Sequence, residues 1–149
     1  MLTLNYTQSL LNLQEVIVKK VITTKESTVI DIEMPKKPHI CPCCSCLTSF
    51  VHDYRYQPVK DIPAFGAKII LNYRKRRYVC PHCGKRFSES HPFVPKYHRM
   101  TTRLVAHIFE KLRSEYSFTS VSKELNLSVS TIIRVFDILS VPRPKKLPR

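Results

Sequence analysis

Apolar and polar positions follow three different rhythms along this chain, and each rhythm predicts a different kind of element. In residues 1–38, Leu10, Leu11 and Leu13 give a brief apolar face suited to a short helix. The runs Val-Ile-Val-Lys-Lys-Val-Ile-Thr-Thr and Thr-Val-Ile-Asp-Ile-Glu-Met follow on either side of the polar break Lys25-Glu26-Ser27, which reads as a β-hairpin closed by Pro35 and Pro38. Residues 39–95 lean towards extended structure and loops, with strands expected at 47–54, 67–73 and 76–79 and breaks at Pro58, Pro63 and Gly66. From residue 101 the period becomes helical. Thr101 can cap a helix carrying Leu104, Val105, Ile108 and Leu112, and Ser117 can cap a second over 118–125 with Val121 and Leu125 inward. Asn126 tolerates the left-handed backbone of a tight turn. Ser128 then caps a third helix over 129–139, with Val129, Ile132, Ile133 and Phe136 expected on its buried face. The predicted fold class is α+β: a helix and hairpin in 1–38, a small β-rich domain in 39–100, a three-helix domain in 101–140, and a basic, proline-rich linker in 141–149.

Composition narrows the class. The chain has 149 residues and is 43% hydrophobic, the profile of a globular protein with one compact domain or two small ones. No apolar run reaches the ~18 residues of a membrane span, and the N-terminus lacks the basic start and apolar core of a signal peptide. A soluble, cytoplasmic protein without a membrane partner is expected. The net charge of +14 calls for a polyanionic partner, with nucleic acid ahead of an acidic membrane surface or an acidic protein. That charge is localised: residues 39–100 carry eleven Lys and Arg against three acids, and 141–149 carry four basic residues and no acid. Such clustering fits a binding face better than a uniformly basic surface.

Six cysteines give the sharpest chemical signal. Cys41-Pro-Cys-Cys44-Ser and Cys80-Pro-His-Cys83-Gly share the pattern C-P-x-C followed by a small residue. Two such knuckles on either side of a β-rich stretch are the sequence form of a zinc ribbon, because zinc accepts four thiolates tetrahedrally and each C-x2-C turn supplies two. A core this small also needs such a staple. The parallel between the knuckles selects Cys41, Cys44, Cys80 and Cys83 as ligands of one structural Zn2+. The overlapping pair Cys43 and Cys46 is the alternative, and His82 is expected to face away from the metal. Buried free cysteines or a redox C-x-x-C pair would be the blander interpretation.

The helical segment fits a helix-turn-helix, whose last helix enters the major groove with its N-terminal residues at base edges. Ser128, Ser130, Thr131 and Arg134 are then the outward positions, with Arg134 suited to a guanine edge and the hydroxyls to bases or phosphates. A plain three-helix packing bundle is the simpler alternative. Arg74-Lys75-Arg76-Arg77, at the entrance to the second knuckle, is a phosphate-contacting candidate placed on an edge or turn, since alternate residues of one strand face opposite sides. A solvated edge strand or a basic localisation run would also account for it.

The order of these parts resembles the N-terminal region of the ISL-three family of insertion-sequence transposases. The resemblance is carried by His39-Ile-Cys-Pro, Asp53-Tyr, Lys60-Asp-Ile-Pro, Arg76-Arg-Tyr-Val-Cys-Pro-His-Cys-Gly-Lys-Arg-Phe and residues 117–139. Ser45 departs from it, standing where the family more often has glycine. The resemblance implies double-stranded DNA at transposon ends as the partner and the terminal inverted repeats as the target; a bacterial nucleoid-associated location and a homodimer through a missing or adjacent domain are expected beside it. It also implies an RNase-H-like domain following this region, with three carboxylates holding two metal ions for strand cleavage. No Asp or Glu follows Asp137, so the chain by itself is expected to be no enzyme. A stand-alone zinc-ribbon and helix-turn-helix regulator, or a protein-interaction module, is the competing expectation.

Overall fold

The computed structural model describes residues 9, 11–13, 15–95, 98–114 and 116–139. The expected helix around Leu10 and the basic tail 141–149 lie largely or wholly outside these residues. The chain is α+β and divides into two units, 1–102 and 103–149.

The first unit is built on one sheet. Strands β1 (Ile17–Thr23) and β2 (Ser27–Glu33) form the expected hairpin. A small ladder of β3 (His39–Ile40) and β4 (Leu47–Thr48) follows. Then come two long strands, β5 (Val51–Ala64) and β6 (Ala67–Val79), and the short β7 (Arg86–Ser88). The order across the sheet is β1-β2-β6-β5, with β7 pairing the far end of β6. β2 runs parallel to β6, whereas β5 and β7 are antiparallel to it. The hairpin of 17–33 is therefore continuous with the sheet of the cysteine-bearing segment. Val18, Ile30, Ile32, Val59, Leu71 and Tyr73 make its buried core, joined by Phe93 and Val94 from the segment after β7.

β5 is longer than the pattern suggested, running through Pro58 and Pro63 to Ala64. Proline is tolerated because β5 lies at the end of the strand order, where a missing N–H costs no ladder bond, and because the register shifts between Asp61 and Ala64. Residues 99–101 lie against that edge: Lys60 N–H donates to the Arg99 carbonyl at 2.9 Å, and Thr101 N–H donates to the Lys60 carbonyl at 2.9 Å. The β5–β6 turn is Phe65-Gly66, both with positive φ (53° and 75°).

The second unit comprises α1 (Thr102–Arg113, whose first residue falls in unit one), α2 (Phe118–Leu125) and α3 (Val129–Leu139). Ser117 caps α2, its side chain accepting from the Ser120 amide, and Asn126 closes that helix in the left-handed conformation. Phe118 meets Phe136 edge to face across α2 and α3 at 5.5 Å, and Lys111 of α1 pairs with Glu124 of α2 at 2.8 Å. Leu104, Val105 and Ile108 of α1 and Val121 and Leu125 of α2 are buried as the periodicity required.

Helix α3 is rotated relative to expectation. Ile132 and Val135 are its fully buried residues, while Val129 and Ile133 are 37% and 42% exposed. Val135 takes the core position expected of Phe136, because the aromatic packs half-buried against Phe118 instead.

Candidate metal centre and nucleic-acid interface

The two cysteine knuckles occupy the turn between β3 and β4 and the turn between β6 and β7. Their backbones match bond for bond. Cys41 N–H donates to the Cys46 carbonyl and Cys80 N–H to the Lys85 carbonyl, both at 2.9 Å. Ser45 and Gly84 N–H groups return to the carbonyls of Cys41 and Cys80, at 3.0 and 2.9 Å. Both turning residues have positive φ, 59° at Ser45 and 70° at Gly84. The hairpins are held together beneath the sulfurs. Thr48 donates to the Val79 carbonyl at 2.9 Å, and the Tyr78 ring packs between His39 (4.5 Å) and Phe87 (6.0 Å).

This scaffold brings Cys41, Cys44, Cys80 and Cys83 together, with all four sulfurs within 4.8 Å of one another. Cys41 and Cys83 are 3.6 Å apart, Cys44 and Cys80 3.5 Å. A tetrahedron of thiolates about 2.3 Å from a central ion has edges of roughly 3.8 Å, so the donor set fits zinc in number, type and spacing. The Cys44 amide, working with that of Cys43 against burial, lowers the Cys41 thiol to about 7. The Cys83 and His82 amides likewise lower Cys80. At Cys44 and Cys83 the amides of Cys46 and Lys85 are outweighed by burial and neighbouring thiols, and both shift upward. Each knuckle thus has its first cysteine inclined to thiolate, the form a metal binds. Cys43 is exposed and outside the cluster. His82 is exposed and outside the four-sulfur cluster, with one ring nitrogen within 4.8 Å of the Cys44 and Cys46 sulfurs on the rim.

The basic run sits differently from its expected edge or turn. Arg74–Arg77 lie within β6, which β5 flanks on one side and β2 and β7 flank on the other. Arg76 is 5% exposed and is committed to the interior. Its guanidinium bonds the Met34 carbonyl and pairs with Glu89 at 3.4 Å and Glu33 at 3.7 Å. Glu89 also accepts from the Arg76 amide at 3.0 Å and from the Tyr73 hydroxyl. Arg76 is therefore a structural cation and not a phosphate contact. Arg74 stacks 3.9 Å over Tyr54 and reaches Glu33, and Arg77 pairs with Asp53 at 3.0 Å. Lys75 lines an open cleft. The four residues divide between the faces of the sheet, as strand alternation demands.

On α3, Ser128 and Thr131 engage each other: their hydroxyls are 2.8 Å apart and the Thr131 amide donates to the Ser128 hydroxyl. Ser130 and Arg134 are exposed, with Ile133 beside them. Among the described residues no helix is long and apolar enough to cross a membrane.

Residues 37–85 match the zinc finger of transposases IS204/IS1001/IS1096/IS1165, and residues 89–137 match the helix-turn-helix domain of transposase family ISL3. The chain is 30% identical over 78 residues to the transposase for insertion sequence element IS1001 of Bordetella parapertussis, an alignment covering 52% of this chain and 19% of that protein. The aligned part thus spans about a fifth of the relative's length. No solved structure shows significant similarity. The two matches lie in tandem along the chain, the zinc finger ahead of the helix-turn-helix domain.

Proposed function

We propose that this chain is the DNA-recognition part of a transposase and binds the terminal inverted repeats of an insertion sequence. The observation that carries this is the tandem of a four-cysteine ribbon and a capped helix with an exposed polar face, in a chain of net charge +14. One zinc held by Cys41, Cys44, Cys80 and Cys83 fixes the two knuckle hairpins and takes no part in chemistry. Helix α3 enters the major groove. Arg134 reads a base edge, Ser130 hydrogen-bonds at the helix start, and Ile133 offers an apolar contact for a thymine methyl. Ser128 and Thr131 order the helix N-terminus, whose free amides suit a phosphate. Strand cleavage and joining would belong to a carboxylate domain of the whole transposase. Gel-shift titration of the zinc-loaded chain on an inverted-repeat end tests the proposal. Retardation at concentrations that leave other duplexes free supports it, and no retardation of any duplex overturns it.

A further inference from the structure

The antiparallel register of β5 and β6 places Arg55 directly opposite Lys75. Like charges facing each other across a ladder destabilise a sheet. Two positions along, the same ladder sets Asp53 opposite Arg77 and forms an ion pair, so the conflict at Arg55 and Lys75 is local. Both residues line a cleft of about 730 Å³ that residues 88–91, Val94, Pro95, His98 and Arg99 also line. The one acid in that lining, Glu89, is 3% exposed and already engaged by Arg76 and Tyr73. Glu89 is shared with Arg76, so it offsets the charge of Arg55, Lys75 and Arg99 only in part. His91 adds a second anomaly: its Nδ1 is buried with no hydrogen-bond partner among the described residues. Arg55, Lys75 and Arg99 bring three cations to the lining, beside the hydroxyls of Tyr56, Ser88 and Ser90 and the imidazoles of His91 and His98.

We propose that this cleft grips a phosphodiester of duplex DNA, with Arg55, Lys75 and Arg99 supplying the charge. The proposal rests on the DNA-binding function above and adds a contact region within the sheet unit, apart from the helix that reads bases. It accounts for the uncompensated pair, because repulsion tolerated in the free protein becomes attraction once a phosphate lies between the cations. Burial lowers the Lys75 ammonium, and burial followed by Lys75 lowers the His91 imidazole. An incoming anion reverses both tendencies. Arg99 is fixed by the backbone bond between its carbonyl and Lys60, so the third cation is anchored to the same strand edge.

The test compares the parent with Arg55→Gln/Lys75→Gln, using an inverted-repeat duplex and a scrambled duplex at several salt concentrations. The double variant should lose about tenfold in affinity on both duplexes at low salt, and its salt slope should flatten by about one for each phosphate it no longer neutralises. Its thermal midpoint should be equal to or above the parent's, because a repulsive pair has been removed. Parent-like affinity and slope in a folded double variant would overturn the cleft while leaving DNA binding intact. A loss confined to the inverted repeat would also overturn it, since phosphate contacts carry no sequence information. Tight binding of inorganic pyrophosphate that the variant abolishes, with DNA affinity unchanged, would mark a small-anion site and contradict the proposal. A parent that binds neither duplex would refute the proposed function, and this inference with it.

Discussion

Ser45 and Gly84 occupy the same place in the two knuckles: each has positive φ, and each donates its amide to the carbonyl of the knuckle's first cysteine. Only the second residue is free of a Cβ penalty in that conformation. Ser45→Gly should therefore stabilise the zinc-loaded ribbon, by about 1 kcal/mol. Gly84→Ala should destabilise it by about 1–2 kcal/mol, and for conformational reasons alone, since a Cβ there meets nothing within 4 Å. Thermal denaturation of both variants in the presence of zinc measures this; a stabilised Gly84→Ala would show that the two turns are not equivalent.

Metal content follows from the four gathered thiols. Protein purified without added metal should carry one zinc per chain, and a strong chelator should unfold the ribbon. Cys41→Ser and Cys83→Ser should lose zinc, while Cys46→Ser, on the rim beside His82, should retain it. Elemental analysis decides the matter. Equal zinc loss from Cys46→Ser would assign the overlapping pair instead.

Arg76 and Arg77 are neighbours with opposite roles. Removing the buried Arg76 side chain leaves Glu89 without its cation, which costs roughly 3–5 kcal/mol. The Arg77–Asp53 pair is partly exposed, so Arg77→Ala should cost no more than about 1 kcal/mol. Urea denaturation of the two variants separates them. Similar small losses from both would mean that Arg76 is not an interior ion.

How much of this is legible in the sequence varies with the physics behind each signal. The knuckles are readable because metal geometry demands fixed spacing, and the caps at Ser117 and Ser128 because orphan amides demand hydroxyls. The hairpin around Lys25-Glu26-Ser27 follows from β-branched runs. The parallel pairing of β2 with β6 is not readable, because it joins residues about forty positions apart with no local mark. That pairing places Glu33 near Arg74 and Arg76, so the run Arg74–Arg77 looks uniformly available in the sequence although one member is buried. The cleft is invisible for the same reason: Arg55, Lys75 and Arg99 meet only through register. On α3, Ile133 and Val135 are both apolar and two positions apart, and the pattern alone does not say which one faces inward.

Helix α3 predicts a difference in kind between substitutions. Arg134→Ala should cost on the order of 1–3 kcal/mol on the preferred site and little on random DNA, as expected for a base contact. Ile133→Ala should lose discrimination at a thymine position without changing the salt slope, because it removes no charge. Competition titrations read both. An equal loss on both DNAs from Arg134→Ala would place that residue on the backbone.

The most direct test of the central claim is the ratio of affinities of the zinc-loaded chain for an inverted-repeat end and for a scrambled duplex of equal length, measured at one fixed salt concentration. Specific modules bind their sites at least about a thousandfold more tightly than random sequence, and a chain with a single reading helix should show a ratio of at least about tenfold. Removing zinc should weaken binding to both duplexes, because the unfolded ribbon belongs to the sheet unit and not to the unit that carries the reading helix. A ratio of one would contradict sequence recognition by this chain.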